Sequence, residues 1–162
     1  MRPQVTALLD QARAASGHAS AAMAMVATID GTPIRHATPG PVMQALIARM
    51  RIRAASGQLT LCPHLSYTSP APAFWCAWAP GRLRCTGCAA AANARIRGTR
   101  EDRRCDHCRG VGPVIHPDLA QLPPVVVDLP PYPPKCVPPI TIMFGLCPAC
   151  QRADASREET QR

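Results

Sequence analysis

The sequence predicts an α+β fold, in which an N-terminal helical segment precedes a small domain of short strands and helices. Apolar residues recur every three or four positions as far as residue 55, which is the spacing of one helix face. Short runs of β-forming residues follow, and all nine cysteines lie within residues 62–150. We therefore predict a helical region over residues 1–58, a cysteine-rich domain over 59–155 and a polar tail over 156–162.

Two helices are predicted in the N-terminal region. The first covers residues 4–29, with a break near Gly17. The second covers Pro41–Ala55, with Pro in its first turn and Gly57 just past its end. Its apolar face comprises Met43, Leu46, Ile47, Met50 and Ala54. Its arginines, Arg49, Arg51 and Arg53, are interpreted as a solvated face.

The cysteine-rich domain alternates between strand and helix signals. Predicted strands are Leu59–Leu61, Phe74–Trp78, Arg82–Arg84, Val125–Val127 and Ile140–Leu146. Predicted helices are Ala89–Arg97, which Gly98 ends, and a segment from Gln151 onward. Residues 129–139 contain six prolines and are predicted to form an extended loop.

The composition indicates that apolar packing alone gives this chain little stability. Hydrophobic residues make up 47% of the chain, but only 4% are aromatic, and 19 prolines interrupt regular structure. Burial contributes about 25 cal/mol per Å² of apolar surface, so the many alanines gain little from it. A second source of stability is expected, and bound metal is the natural one in a cysteine-rich chain.

Eight potential metal ligands stand in four short pairs. The pairs are Cys62-Pro-His64, Cys85-Thr-Gly-Cys88, Cys105-Asp-His-Cys108 and Cys147-Pro-Ala-Cys150. Zinc prefers four sulfur or nitrogen ligands in a tetrahedron, and a Cys-x-x-Cys turn supplies two of them. The sequence therefore predicts two structural zinc ions. Grouped cysteines of this kind favour metal over disulfides, and hence a reducing cytoplasm.

The spacing leaves three ways to combine the four pairs. We prefer the sequential one, in which the first two pairs form one site and the last two form the other. A second joins Cys85/Cys88 to Cys105/Cys108 at a familiar finger spacing, although the helix-forming residues 89–97 disfavour it. The third is a cross-brace of the RING type, which joins the first pair to the third and the second to the fourth.

In the sequential arrangement, a ligand turn, strand-forming residues and a Cys-x-x-Cys at a helix start follow one another twice. This order resembles treble-clef and zinc-ribbon fingers over roughly residues 59–155, on ligand spacing alone. The resemblance implies a hairpin and a helix around each zinc. The Pro-rich insertion before Ile140 departs from a compact ribbon.

Two cysteines lie outside the four pairs. Cys76 stands between two tryptophans and is predicted to be a buried apolar residue. Cys136 lies in the Pro-rich loop, where its role stays open. His107 lies inside a ligand turn and is predicted to face solvent rather than metal.

No enzymatic constellation is complete in the sequence. Cys105-Asp-His-Cys108 looks like the motif of disulfide oxidoreductases, but no βαβ pattern surrounds it. The zinc deaminases need a His-x-Glu motif, which is missing. A catalytic zinc usually has a carboxylate base beside it. The chain's only glutamates, Glu101, Glu158 and Glu159, lie in charged segments that are predicted to be exposed. We predict a non-enzymatic protein, with thiol–disulfide exchange through Cys105 and Cys108 as a minor alternative.

Arginines near the cysteines make nucleic acid the preferred partner. The candidate contacts are Arg82, Arg84, Arg95, Arg97, Arg103 and Arg104. Arginine suits phosphate recognition, and Trp75 or Trp78 could stack on bases, although a core role is favoured for both. A composition rich in Arg, Ala, Pro and Gly also indicates a GC-rich bacterial or phage genome. DNA, RNA and a protein partner all remain open.

Net charge supports an anionic partner only weakly. Thiolate ligands give a Cys₃His zinc site one negative charge and a Cys₄ site two, so the formal +8 falls to about +5. No apolar run approaches the roughly 20 residues that a membrane span needs, and a cytoplasmic protein is expected.

Overall fold

The computed structural model describes residues 39–65, 72–121 and 140–155, the two-residue strand Ile34–Arg35, and isolated positions 10, 14, 17, 18 and 21. The predicted helix over residues 4–29 lies largely outside these residues. The same is true of Val125–Val127, the Pro-rich loop with Cys136, and the predicted tail.

The described residues form an α+β fold, as predicted. The helices are α1 (Pro41–Ala55), α2 (Thr86–Ile96) and α3 (Pro148–Ala155), with a 3₁₀ turn at Glu101–Arg103. The strands are β1 (Ile34–Arg35), β2 (Thr60–Leu61), β3 (Ala73–Cys76), β4 (Arg82–Arg84), β5 (Ile115–Gln121) and β6 (Ile140–Leu146).

All six strands of the described chain form a single mixed sheet in the order β1-β5-β6-β3-β4-β2. Strands β3 and β4 pair in antiparallel fashion, as do β5 and β6. Strands β3 and β6 pair in parallel and so join the two antiparallel pairs, with Trp75 opposite Ile142. The sheet therefore holds two hairpins side by side, and the ligand pairs flank each hairpin.

Strand β5 was not predicted from the sequence. Pro117 cannot donate a ladder hydrogen bond, and it argues against a central strand. The register shifts between Ile115 and Asp118, so Pro117 lies at an irregularity of the β5–β6 ladder. A bulge of this kind is where a strand tolerates proline, and it accounts for the missed prediction.

Helix α1 supplies a large part of the core. All five residues of its predicted apolar face are buried, and Val42 joins them. They share one buried cluster with Trp75, Leu83, Ile142 and Phe144 of the sheet. The boundary predicted near residue 58 stays a prediction, but α1, which precedes it, packs into the same core as the cysteine-rich strands.

Both ends of α1 are closed by specific backbone contacts. At the C-terminus, Gly57 adopts a positive φ of 70°, and the amides of Gly57 and Gln58 donate to the carbonyls of Ala54 and Arg53 at 3.1 and 2.8 Å. This is a Schellman motif, which favours glycine. At the N-terminus, the cap residue Gly40 has no capping side chain, and Asp154 of α3 accepts a hydrogen bond from the Met43 amide at 2.9 Å.

Among the described helices, none has the length and apolar character needed to cross a membrane.

Candidate metal centres

Two clusters of metal-ligating side chains form in the sequential arrangement. The first comprises Cys62, His64, Cys85 and Cys88, and the second comprises Cys105, Cys108, Cys147 and Cys150. Within each cluster, the four donor atoms lie within 4.8 Å of one another. The other two combinations of pairs are therefore not those of this fold.

The first cluster is built from a turn, a hairpin and a helix start. Cys62 directly follows β2, and its amide donates to the Leu83 carbonyl at 2.8 Å. Strands β3 and β4 then carry the chain to Cys85, which is the N-cap of α2. Cys88 lies in the first turn of α2, so both of the later ligands are fixed by the start of this helix.

The second cluster repeats this construction. The amide of Cys105 donates to the Gly110 carbonyl at 2.8 Å, which closes the turn that holds Cys105 and Cys108. Strands β5 and β6 follow, and β6 ends just before Cys147. The Cys147 carbonyl accepts the first hydrogen bond of α3, from Gln151 at 3.0 Å, and Cys150 lies in its first turn. The order of ligand turn, antiparallel strand pair and helix start thus occurs at both clusters.

Donor separations fit a tetrahedral metal rather than disulfides. A metal–sulfur distance of about 2.3 Å places two sulfurs of a tetrahedron about 3.8 Å apart, whereas a disulfide bond is about 2.0 Å long. The sulfurs of Cys108 and Cys147 are 3.8 Å apart. The Nδ1 atom of His64 lies 3.3 Å from the Cys88 sulfur and 3.8 Å from the Cys85 sulfur. Nδ1 is therefore the ring nitrogen placed to bind the metal. All eight cysteines of the described residues are free thiols.

Backbone amides favour the thiolate form of the first cysteine in each cluster. Burial raises the pKa of Cys62, but hydrogen bonds from the amides of Cys85 and His64 outweigh it and lower the pKa overall. The Cys85 amide lies 3.2 Å from the Cys62 sulfur. At Cys105, burial is likewise outweighed, and amides of Cys147, Cys108 and His107 lower the pKa to about 7. The Cys105 thiol is thus prepared as an anionic ligand near neutral pH, and the shift at Cys62 favours its thiolate in the same direction.

The thiols of Cys88 and Cys150 show the opposite tendency, because neighbouring sulfurs crowd them. Contact with Cys85 raises the pKa of Cys88, and burial together with contacts from Cys147 and Cys105 raises that of Cys150. Four thiolates cannot share one such space without a compensating charge. A bound dication supplies that charge and removes the thiol protons.

Asp106 and Arg49 stabilise the second cluster although neither belongs to its four ligands. Asp106 is 1% exposed, its carboxylate accepts from the Gly145 amide at 2.9 Å, and its amide donates to the Gly145 carbonyl at 2.8 Å. Arg49 donates to the carbonyls of Asp106 and Ala77 at 3.0 and 2.9 Å. The solvated face predicted for Arg49 is therefore wrong: its guanidinium is half-buried over the Trp75 ring, 5.5 Å from the centroid.

Replacing Arg49 with Gln should lower the free energy of unfolding by about 1.5–3 kcal/mol, because two buried carbonyls lose a charged donor. Urea denaturation of the metal-loaded protein measures this loss. Arg51→Gln is the matched control, since Arg51 lies on the exposed side of the same helix and should change the free energy by less than about 0.5 kcal/mol. Equal effects of the two substitutions would show that the contacts of Arg49 contribute nothing.

Residues outside the clusters mostly lie where the sequence predicts. Cys76 is fully buried, and burial raises the pKa of its thiol to about 11, so it is an inert core residue. His107 is exposed and belongs to neither cluster.

Asp154, Gly40 and Arg49 were missed as structural partners, because their contacts link segments far apart in the chain. Asp106 carried one available signal, since it lies within a ligand turn.

The six arginines predicted to bind nucleic acid divide into two groups. Arg82, Arg95, Arg97 and Arg103 are exposed. Arg84 is partly buried and donates through Nη1 to the carbonyls of Ala79 and Arg82 at 2.9 and 2.8 Å. Arg104 forms an ion pair with Glu101 at 2.6 Å. The exposed group has guanidinium groups available at the surface, whereas the other two also stabilise the protein.

Comparison with protein-family models, with curated proteins and with solved structures finds no match to this chain.

Proposed function

We propose that this chain is a non-enzymatic protein in which two structural zinc ions hold the fold and an arginine-rich surface binds nucleic acid. The observation that carries the zinc assignment is the gathering of four sulfur or nitrogen donors at each of two places. One site has three cysteines and a histidine, and the other has four cysteines. These are donor sets that zinc favours in structural sites.

The closed ligand sets support a structural rather than a catalytic role. A catalytic zinc keeps one coordination position open for water or substrate, whereas each cluster here offers four protein ligands. Thiol–disulfide exchange through Cys105 and Cys108 is disfavoured because both sulfurs share a cluster with Cys147 and Cys150. Their turn also ends at Arg109, with a φ of 64°, rather than opening into a helix.

Native mass spectrometry should find two zinc ions per chain. Cys85→Ser and Cys147→Ser should each reduce the count to one, because each removes a ligand from a different cluster. Cys76→Ser is the control, since its thiol belongs to neither cluster, and this variant should retain both ions. A metal-free, folded wild-type protein after purification with zinc would contradict the assignment.

Exposed arginines support nucleic acid as the partner. Arg82, Arg95, Arg97 and Arg103 lie in the segments that flank the first cluster and lead to the second. Of the chain's 18 basic residues, 17 are arginines, whose planar guanidinium suits bidentate contact with phosphate. The two zinc sites carry negative charge but leave the chain at about +5, so the arginines of these segments add to a net positive molecule.

Binding to labelled DNA or RNA should weaken as salt rises. If the four exposed arginines contact phosphates, the logarithm of affinity should fall with the logarithm of salt with a slope of about −2.8 for a single strand and about −3.6 for a duplex. Fluorescence anisotropy titrations at several salt concentrations, from roughly 50 to 200 mM, measure this slope. Absent binding at low salt, or a flat dependence, would exclude the nucleic-acid function and favour a protein partner.

A further inference from the structure

A cleft opens at the first metal cluster, whose Cys62, His64 and Cys88 form part of its lining. Its volume is about 480 Å³, and its lining includes Arg82, Arg84, Arg95, His64 and Trp78. We call it the arginine cleft. Sites for small ligands commonly measure about 300–1,000 Å³, so the cleft is large enough for a compact organic group.

The arginine cleft is positively charged on balance. Within the described part of the chain, no acidic side chain lies within ion-pair distance of Arg82 or Arg95. Glu101 also lines the cleft, but its carboxylate is paired with Arg104 at 2.6 Å. Three arginines therefore line a cleft whose one carboxylate among the described residues is already paired. Their charge exceeds the single negative charge of the adjoining Cys₃His site, and this arrangement suits an anion.

Its remaining wall combines a hydrogen-bond donor with an aromatic ring. The Nδ1 atom of His64 is turned toward the thiols of the cluster, so the other ring nitrogen, Nε2, faces away from them. When Nδ1 binds metal, Nε2 carries the ring proton and donates. Trp78 is partly buried, and Ala91 and Ala92 of α2 lie beside it in the cleft lining. Trp78 and the two alanines thus give this wall of the cleft an apolar lining.

We propose that the arginine cleft binds one nucleotide, with its phosphate between Arg82 and Arg95 and its base against Trp78. The proposal rests on the nucleic-acid function proposed above and specifies it. A base must leave the double helix to enter such a cleft, so the protein should prefer single strands to duplexes. A free nucleotide offers the same phosphate and base, so the experiment compares a free nucleotide with a nucleic-acid strand.

Tryptophan fluorescence gives a direct readout of the cleft. The chain has two tryptophans, and Trp75 is fully buried, so quenching by a stacked base reports Trp78. The zinc-loaded protein is titrated with a single-stranded 12-mer, its duplex and adenosine monophosphate. We expect the single strand to quench the emission and to bind about tenfold more tightly than the duplex, on the scale of one stacked base.

Paired variants test whether the cleft is responsible. The double variant Arg82→Gln/Arg95→Gln should weaken single-strand binding about tenfold or more and remove the quenching, as loss of charge-assisted contacts predicts. The matched control is Arg97→Gln/Arg103→Gln, which removes two exposed arginines that do not line the cleft. It should weaken single strand and duplex alike and leave the quenching intact. Two zinc ions per chain confirm that each variant is folded.

The outcomes separate this proposal from the broader function. Single-strand binding that survives in the cleft variant but is lost in the control variant overturns the cleft and retains nucleic-acid binding. No binding of any strand at low salt overturns both. Quenching by adenosine monophosphate alone assigns the cleft to a free nucleotide, and quenching by the 12-mer alone assigns it to a polymer. No quenching by either ligand overturns the proposal.

Discussion

Removal of zinc with a strong chelator should unfold this protein at room temperature. Structural zinc contributes an apparent binding free energy of about 10–16 kcal/mol in small zinc domains, whereas the net stability of a domain is about 5–15 kcal/mol. Both clusters lie at the junctions of the sheet with α2 and α3. Losing the metal therefore releases both helix starts together, and the sulfurs left behind repel one another once ionised.

Far-UV circular dichroism before and after chelation measures this unfolding, and added zinc should restore the signal. Cys150→Ser tests the second cluster alone, with Cys76→Ala as a control that removes a buried sulfur but no donor. The control should cost only about 1 kcal/mol, as a small core truncation does. A chelated protein that kept its signal and its cooperative thermal transition would mean that apolar packing suffices, and that the zinc sites are accessory.

The sequence was informative about the clusters because their spacing is local. Each Cys-x-x-Cys turn brings two donors together within a few residues, whatever the remainder of the chain does. The sequential combination followed from secondary structure. Helix-forming residues follow both Cys88 and Cys150, so each of these pairs was expected at a helix start. The hairpin between the ligand pairs was predictable at the first cluster from the Phe74–Trp78 and Arg82–Arg84 strands.

Long-range contacts could not be predicted in the same way. Arg49 looked like one of three exposed arginines on α1, and only the tertiary fold places it over Trp75 and beneath two carbonyls. Strand β5 was hidden by Pro117, because the bulge that tolerates proline is created by pairing with β6. The cap on α1 comes from Asp154, which is 111 residues away along the chain from Met43.

These long-range contacts connect the metal centres to α1. Cys150 and Asp154 lie one helical turn apart on α3, so a metal that fixes Cys150 also fixes the carboxylate that caps α1. Arg49 makes a second connection, through the carbonyl of Asp106 inside the other ligand turn of the same cluster. Helix α1 is therefore attached to the second metal centre at its first turn and in its middle, and its packing should depend on that centre.

Replacing Gly40 with Ala should destabilise the protein strongly, although the substitution adds only one methyl group. A Cβ atom at this position would lie 2.1 Å from the Asp154 carbonyl oxygen and 2.5 Å from its carboxylate oxygen. Neither can yield easily, because the first belongs to the α3 backbone and the second accepts the cap hydrogen bond from Met43. We expect a loss of about 2–4 kcal/mol, which combines overpacking with the loss of a helix cap.

Thermal and urea denaturation of the zinc-loaded variant measure this loss, and Gly87→Ala is the matched control. Gly87 lies in the first turn of α2 with no atom within 4 Å of its Cβ position, so alanine there should be neutral or slightly stabilising. Because the Asp154 carboxylate that Gly40→Ala displaces lies one helical turn from Cys150, the substitution should also accelerate zinc loss from the Cys₄ site more than from the other site. Equal release from both sites would show that α1 and the second centre are independent.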